Sequence, residues 1–162
     1  MKPRHALGAI AATFVATLAC GGSNSANTFV AQLAGANETP PVTTTATGTA
    51  TFTRNAGTVS YNVSATGLSA NATGAHIHIG PTTQAGPIIV DINALTPAVG
   101  TSPSMTGTFT EANIKNPTSP PLSTPIATMD QLFDAIRAGN AYFNIHTTAH
   151  TGGEIRGQLT PQ

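Results

Sequence analysis

Three histidines stand where their spacing puts chemistry within reach. His76 and His78 lie two residues apart in Gly74-Ala75-His76-Ile77-His78-Ile79-Gly80, and His146 lies in Tyr142-Phe143-Asn144-Ile145-His146-Thr147. A third segment, Gly152-Gly153-Glu154-Ile155-Arg156-Gly157-Gln158-Leu159, adds a carboxylate and a guanidinium. A neutral imidazole with a free ring nitrogen is a ligand for zinc or copper. Successive side chains on a strand point to opposite faces, so a His-x-His pair offers two imidazoles side by side.

The alternation in these segments predicts the faces. His76 and His78 share one face of a strand, with Ile77 and Ile79 on the other. Asn144 and His146 oppose Phe143, Ile145 and Thr147. Glu154, Arg156 and Gln158 oppose Ile155 and Leu159. The apolar sets are the expected core, at about 1.5–3 kcal/mol for each fully buried Ile, Leu or Phe side chain. The polar sets are expected together on the outside of one sheet. As a metal site, copper or zinc would take His76, His78 and His146, with His150 or Glu154 completing the set. The competing reading is a hydrogen-bonded polar ladder built from Asn144, Glu154 and Arg156, in which cross-strand pairs contribute about 0.2–1 kcal/mol each. Both readings stand open in the sequence.

The rest of the chain must position these strands. Phe29–Leu33, Ala46–Thr53, Thr58–Ala65, Gly74–Gly80, Ile88–Ile92, Thr106–Thr110, Ala141–Thr147 and Glu154–Leu159 read as short strands separated by turn residues. Arg54-Asn55-Ala56-Gly57 is a hairpin signal. One helix is expected at about 129–138: Thr128 and Gln131 fit a capping box, Leu132, Phe133 and Ile136 form its apolar stripe, and Gly139 ends it. Seven to nine short strands with one helix predict an all-β antiparallel sandwich.

Composition narrows the function classes. The 162 residues carry 6 Lys+Arg and 6 Asp+Glu, a formal net charge of zero. Without a basic surface to hold phosphates, nucleic acid is excluded as a partner class. No Gly-x-Ser-x-Gly elbow is present, and no two acids are placed to face each other, so hydrolase chemistry has no foothold. Glu38 reads as a turn carboxylate and Asp91 as a strand-edge charge. The Thr-rich strand Thr43–Thr53 reads as a solvated sheet face.

The N-terminus reads as an export segment. A basic start, Met1 to His5, precedes the apolar or small stretch Ala6–Ala19, too short to span a membrane as a helix. Thr17-Leu18-Ala19-Cys20-Gly21 resembles a lipoprotein signal, although the type pattern has Leu and a small residue where this chain has Thr17 and Leu18. Cys20 is the only cysteine, and lipidation accounts for it; plain cleavage after Ala19 is the alternative. The expected organisation is a signal peptide over 1–19, a tether over 20–27 and one domain over 28–162. The expected location is the cell envelope, with a lipid anchor at Cys20 or as a soluble exported protein.

Five ordered motifs carry a resemblance. They are Leu33 to Pro41 (LAGANETPP), Thr73 to Gly80 (TGAHIHIG), Gly86 to Val90 (GPIIV), Gly139 to Thr147 (GNAYFNIHT) and Gly152 to Leu159 (GGEIRGQL). Over about residues 28–160 the chain resembles the CHRD family, the domain first described in chordin and common in bacterial exported proteins. The resemblance implies an immunoglobulin-like sandwich similar in topology to copper-zinc superoxide dismutase. It implies no established activity. The dismutase fold also holds copper on an outer face with a His-x-His pair, but this chain has no matching zinc loop, no disulfide, and its other histidines do not align in order. The leading expectation is a non-catalytic binding or structural module of the envelope, with a protein or polysaccharide partner. The alternative is a copper- or zinc-binding domain using the His-x-His strand. Metal-dependent redox activity comes third.

Overall fold

The computed structural model describes residues 27–118 and 125–162. The expected signal peptide, Cys20 and most of the tether lie outside the described residues. The domain is mainly antiparallel β-sheet. Among the described residues, nine strands run in chain order as β1 (Thr28–Ala34), β2 (Thr47–Asn55), β3 (Thr58–Thr66), β4 (Ala72–Ile79), β5 (Ile88–Asp91), β6 (Ser104–Thr110), β7 (Ala141–Thr147), β8 (Ile155–Gln158) and the short β9 (Thr160–Pro161). They form one hydrogen-bonded sheet in the order β5-β4-β7-β8-β1-β2-β3-β6, with β9 paired to β1.

The sheet curls over on itself into a sandwich-like shell. Phe52 on β2 and Phe143 on β7 show this, with ring centroids 5.6 Å apart. Their strands are three positions apart in the sheet, about 14 Å if it lay flat. The period-two pattern drives the curl. Phe29, Ala31 and Leu33 on β1, and Val59, Tyr61 and Val63 on β3, are all buried on the inner face. On β3 the polar Thr58, Ser60, Asn62 and Ser64 alternate with them on the outside.

The helix α2 (Met129–Arg137) lies where the sequence put it. The Thr128 side chain accepts from Gln131 N–H, and the Gln131 side chain returns to the Thr128 N–H, so the capping box is complete. Its apolar stripe enters the core, with the Phe133 ring 4.9 Å from that of Phe29. The single-helix expectation needs one addition. Ile92 begins a one-turn helix, α1 (Ile92–Leu95), where a strand end was expected. The Asp91 side chain accepts from Ala94 N–H at 3.0 Å and caps that turn.

Candidate metal centre

β4 lies between β5 and β7, and its register sets the site. His76 stands across from Asn144 on β7 and Asp91 on β5. His78 stands across from Tyr142, and Gly74 across from His146. Gly74 has no side chain, so the His76 and His146 rings close over the gap with centroids 4.9 Å apart. A Cβ on Gly74 would stand 2.8 Å from His76 Cε1 and 3.5 Å from His146 Cδ2. The His76 and His78 rings are 5.5 Å apart, those of His78 and His146 6.1 Å. One ring nitrogen of each histidine lies within 4.8 Å of those of the other two.

The remaining ring nitrogens are anchored. His78 Nδ1–H donates to the Gly86 carbonyl at 2.8 Å, and His146 Nδ1–H to the Thr151 carbonyl at 2.9 Å. A carbonyl only accepts, so these nitrogens carry the hydrogen and each Nε2 carries a lone pair. His76 Nε2 faces the Asp91 carboxylate at 3.6 Å. The nitrogens left buried and without a partner are His76 Nδ1, His78 Nε2 and His146 Nε2. A ligating histidine commonly has its other nitrogen held by a carbonyl or carboxylate in this way.

Burial keeps the rings neutral. It lowers the His76 pKa to about 4, with the nearby His146 adding to the effect and Asp91 opposing it. Burial also lowers His78 to about 4 against the Gly86 carbonyl, and holds His146 below its ordinary value against the Thr151 carbonyl. Burial pushes the Asp91 carboxyl up, but Lys115, the Ala94 N–H and His76 outweigh it and hold it below the usual range. Lys115 Nζ lies 3.0 Å from Asp91 Oδ2.

The other sequence candidates fall elsewhere. Glu154 does not share the face of Arg156. It precedes β8, and Gly153 at φ +125° turns the chain before it, so strand alternation does not set its direction. Its carboxylate accepts from Thr44 Oγ1, Ser69 N–H, Ser69 Oγ and Thr147 Oγ1 at 2.8–2.9 Å. Burial pushes Glu154 up, and these donors outweigh it and hold it below its ordinary value. His150 lies in the loop between β7 and β8, where its backbone N–H bonds Thr147 Oγ1, and it does not join the three-histidine cluster. Asn144 is buried between the histidines and Arg156, opposite both His76 and Arg156 in register.

The polar face was expected on the outside of the sheet, and the loops after β1 and β4 cover Arg156 there. Arg156 is only 2% exposed. Its guanidinium donates to the carbonyls of Pro81 at 2.6 Å and Gln84 at 3.2 Å, and to Thr39 Oγ1 at 3.4 Å. Burial raises the Glu38 pKa to about 7 against the charge of Arg156, the Thr39 backbone and Asn144. Sequence reasoning missed Asp91, Gly74, Gly86, Thr151 and Tyr142 as parts of this site. Only the β4–β5 register brings Asp91 to His76, and backbone carbonyls carry no side-chain signal.

A curled antiparallel sheet with a buried polar layer under loops, three histidines on its neighbouring strands β4 and β7, defines an all-β domain with an imidazole cluster. A family model described as the CHRD domain matches residues 29–159, and the chain belongs to that family. No curated protein matches it.

Proposed function

We propose that this CHRD domain is a metal-binding module that holds one copper or zinc ion on His76, His78 and His146. The observation that carries this reading is that one ring nitrogen from each of the three histidines lies within 4.8 Å of the other two, in a cluster where each ring keeps one buried nitrogen without a hydrogen-bond partner. Leaving a buried acceptor unpaired costs about 1–3 kcal/mol each, and one cation relieves all three. The polar-ladder reading leaves them unrelieved, because Glu154 and Arg156 are occupied by other partners. The donor set is all imidazole, which suits zinc and copper.

Donors in a tetrahedral zinc or copper site stand about 3.4 Å apart. The rings therefore draw together modestly on binding, and their anchors decide how easily they do so. Among the described residues no fourth His, Cys, Asp or Glu completes the cluster, so a fourth position is left to water or an exogenous ligand. The domain acts in the cell envelope, exported by residues 1–19 and anchored through Cys20. Radiolabelled palmitate incorporation, lost on Cys20→Ala, tests the anchor. Metal analysis of untagged protein, with the His76→Ala/His78→Ala double variant alongside, tests the binding.

A further inference from the structure

Tyr142 is buried at 3% exposure, yet its ring lies in the polar layer over the sheet and outside the apolar core. The His78 imidazole stacks on it almost in parallel, at an interplanar angle of 6° and a centroid distance of 4.9 Å. The Arg156 guanidinium carbon lies 3.4 Å from the centroid of the same ring. β7 runs between β4 and β8, so the phenol ring is held between the imidazole and the guanidinium. Gly86 ties two of these together: its N–H donates to Tyr142 Oη at 3.1 Å, and its carbonyl accepts from His78 Nδ1–H at 2.8 Å.

Resting on the metal reading above, we propose that Tyr142, backed by Arg156, is the positioning residue that aims His78 Nε2 at the metal. A histidine ring is free to turn about its two side-chain torsions unless packing stops it. Here the stack fixes the ring plane, and the Gly86 bond fixes which nitrogen points inward. Arg156 cannot retreat, because two carbonyls and a hydroxyl hold it from the loops. A cation over an aromatic face is favourable and stronger when desolvated. The stack thus preorganises one ligand before any metal arrives, and loss of such outer partners commonly weakens metal affinity.

The test is a zinc competition titration of the wild type, Tyr142→Phe, Tyr142→Leu and Phe109→Leu, a core variant away from the site. Two spectroscopic readouts accompany it: copper(II) EPR, and the His78 Nδ1–H proton resonance of the metal-free protein. Tyr142→Leu is expected to bind about 10–100-fold more weakly with an altered EPR signature. Tyr142→Phe keeps the stack and is expected to recover affinity to within about threefold of wild type, with a shifted His78 resonance. Phe109→Leu is expected to lose stability and keep its affinity. A folded Tyr142→Leu with wild-type affinity and spectrum overturns the proposal, as does an equal affinity loss in Phe109→Leu. Should Tyr142→Leu fail to fold, an unshifted His78 resonance in Tyr142→Phe overturns it. A wild type that takes up no metal removes the parent reading, and the positioning role with it.

Discussion

The His76 ring occupies the space that a side chain on Gly74 would fill: a Cβ there would stand 2.8 Å from His76 Cε1 and 3.3 Å from His76 Nε2. Gly74 is therefore part of the histidine cluster without supplying a donor atom. Gly74→Ala is expected to push the His76 ring off its line to His146. The fold should survive, since the change meets a ring and not backbone. Metal affinity should fall about tenfold, the low end for a change that misaligns a ligand. A zinc competition titration with a thermal melt alongside checks both parts.

Asp91 orients the same ring from the other side, with Oδ1 3.6 Å from His76 Nε2 and Oδ2 bonded to Lys115. Asp91→Asn removes the charge and keeps the shape. It is expected to weaken metal binding about 10–100-fold. A matched variant, Lys115→Met, should cost less, because Lys115 reaches the site only through Asp91. Equal losses in the two variants, measured by isothermal titration, would count against the orienting role.

Glu154 serves the fold and not the metal. Four donors converge on its carboxylate, three of them side-chain hydroxyls from Thr44, Ser69 and Thr147 and one the Ser69 backbone N–H. Glu154→Gln is expected to destabilise the domain by about 2–4 kcal/mol, because a charged acceptor with bonded donors is replaced by a group that must also donate. Metal affinity of the folded variant should match wild type. Urea denaturation and zinc titration on the same sample separate the two effects.

Glu38 gives the domain a pH-dependent contribution of definite sign. Burial raises its folded pKa to about 7 from the ordinary 4.5. Between those values the folded state holds more protons than the unfolded one, so this group's contribution to stability falls as pH rises from 4.5 to 7. Glu38→Gln removes that slope. The stability of wild type relative to Glu38→Gln should therefore decline across that window, by on the order of 2–3 kcal/mol. Parallel urea titrations at pH 4.5, 6 and 7.5 check it, and a difference that is flat or rises with pH contradicts it.

Much of the architecture was legible because period-two alternation survives in nearly every strand. The same alternation put His76 and His78 on one face, and the capping box at Thr128 and Gln131 located α2. The CHRD resemblance is borne out over residues 29–159. Three things were not legible, each for a physical reason. Alternation says nothing about Glu154, because Gly153 at positive φ resets the chain direction just before it. It gives faces but not cover, so the loops that bury Arg156 and Tyr142 were out of sight. It also does not give register, and the pairing of Asp91 with His76 is a property of register alone.

The most direct test of the account is the metal content of full-length protein purified without a histidine tag. Elemental analysis after incubation with copper or zinc and desalting should find about one ion per chain, bound through one ring nitrogen of each of the three histidines. The His76→Ala/His78→Ala variant should keep its circular dichroism spectrum and lose that ion. Protein that emerges metal-free, with a melting temperature unchanged by either ion, would contradict the account.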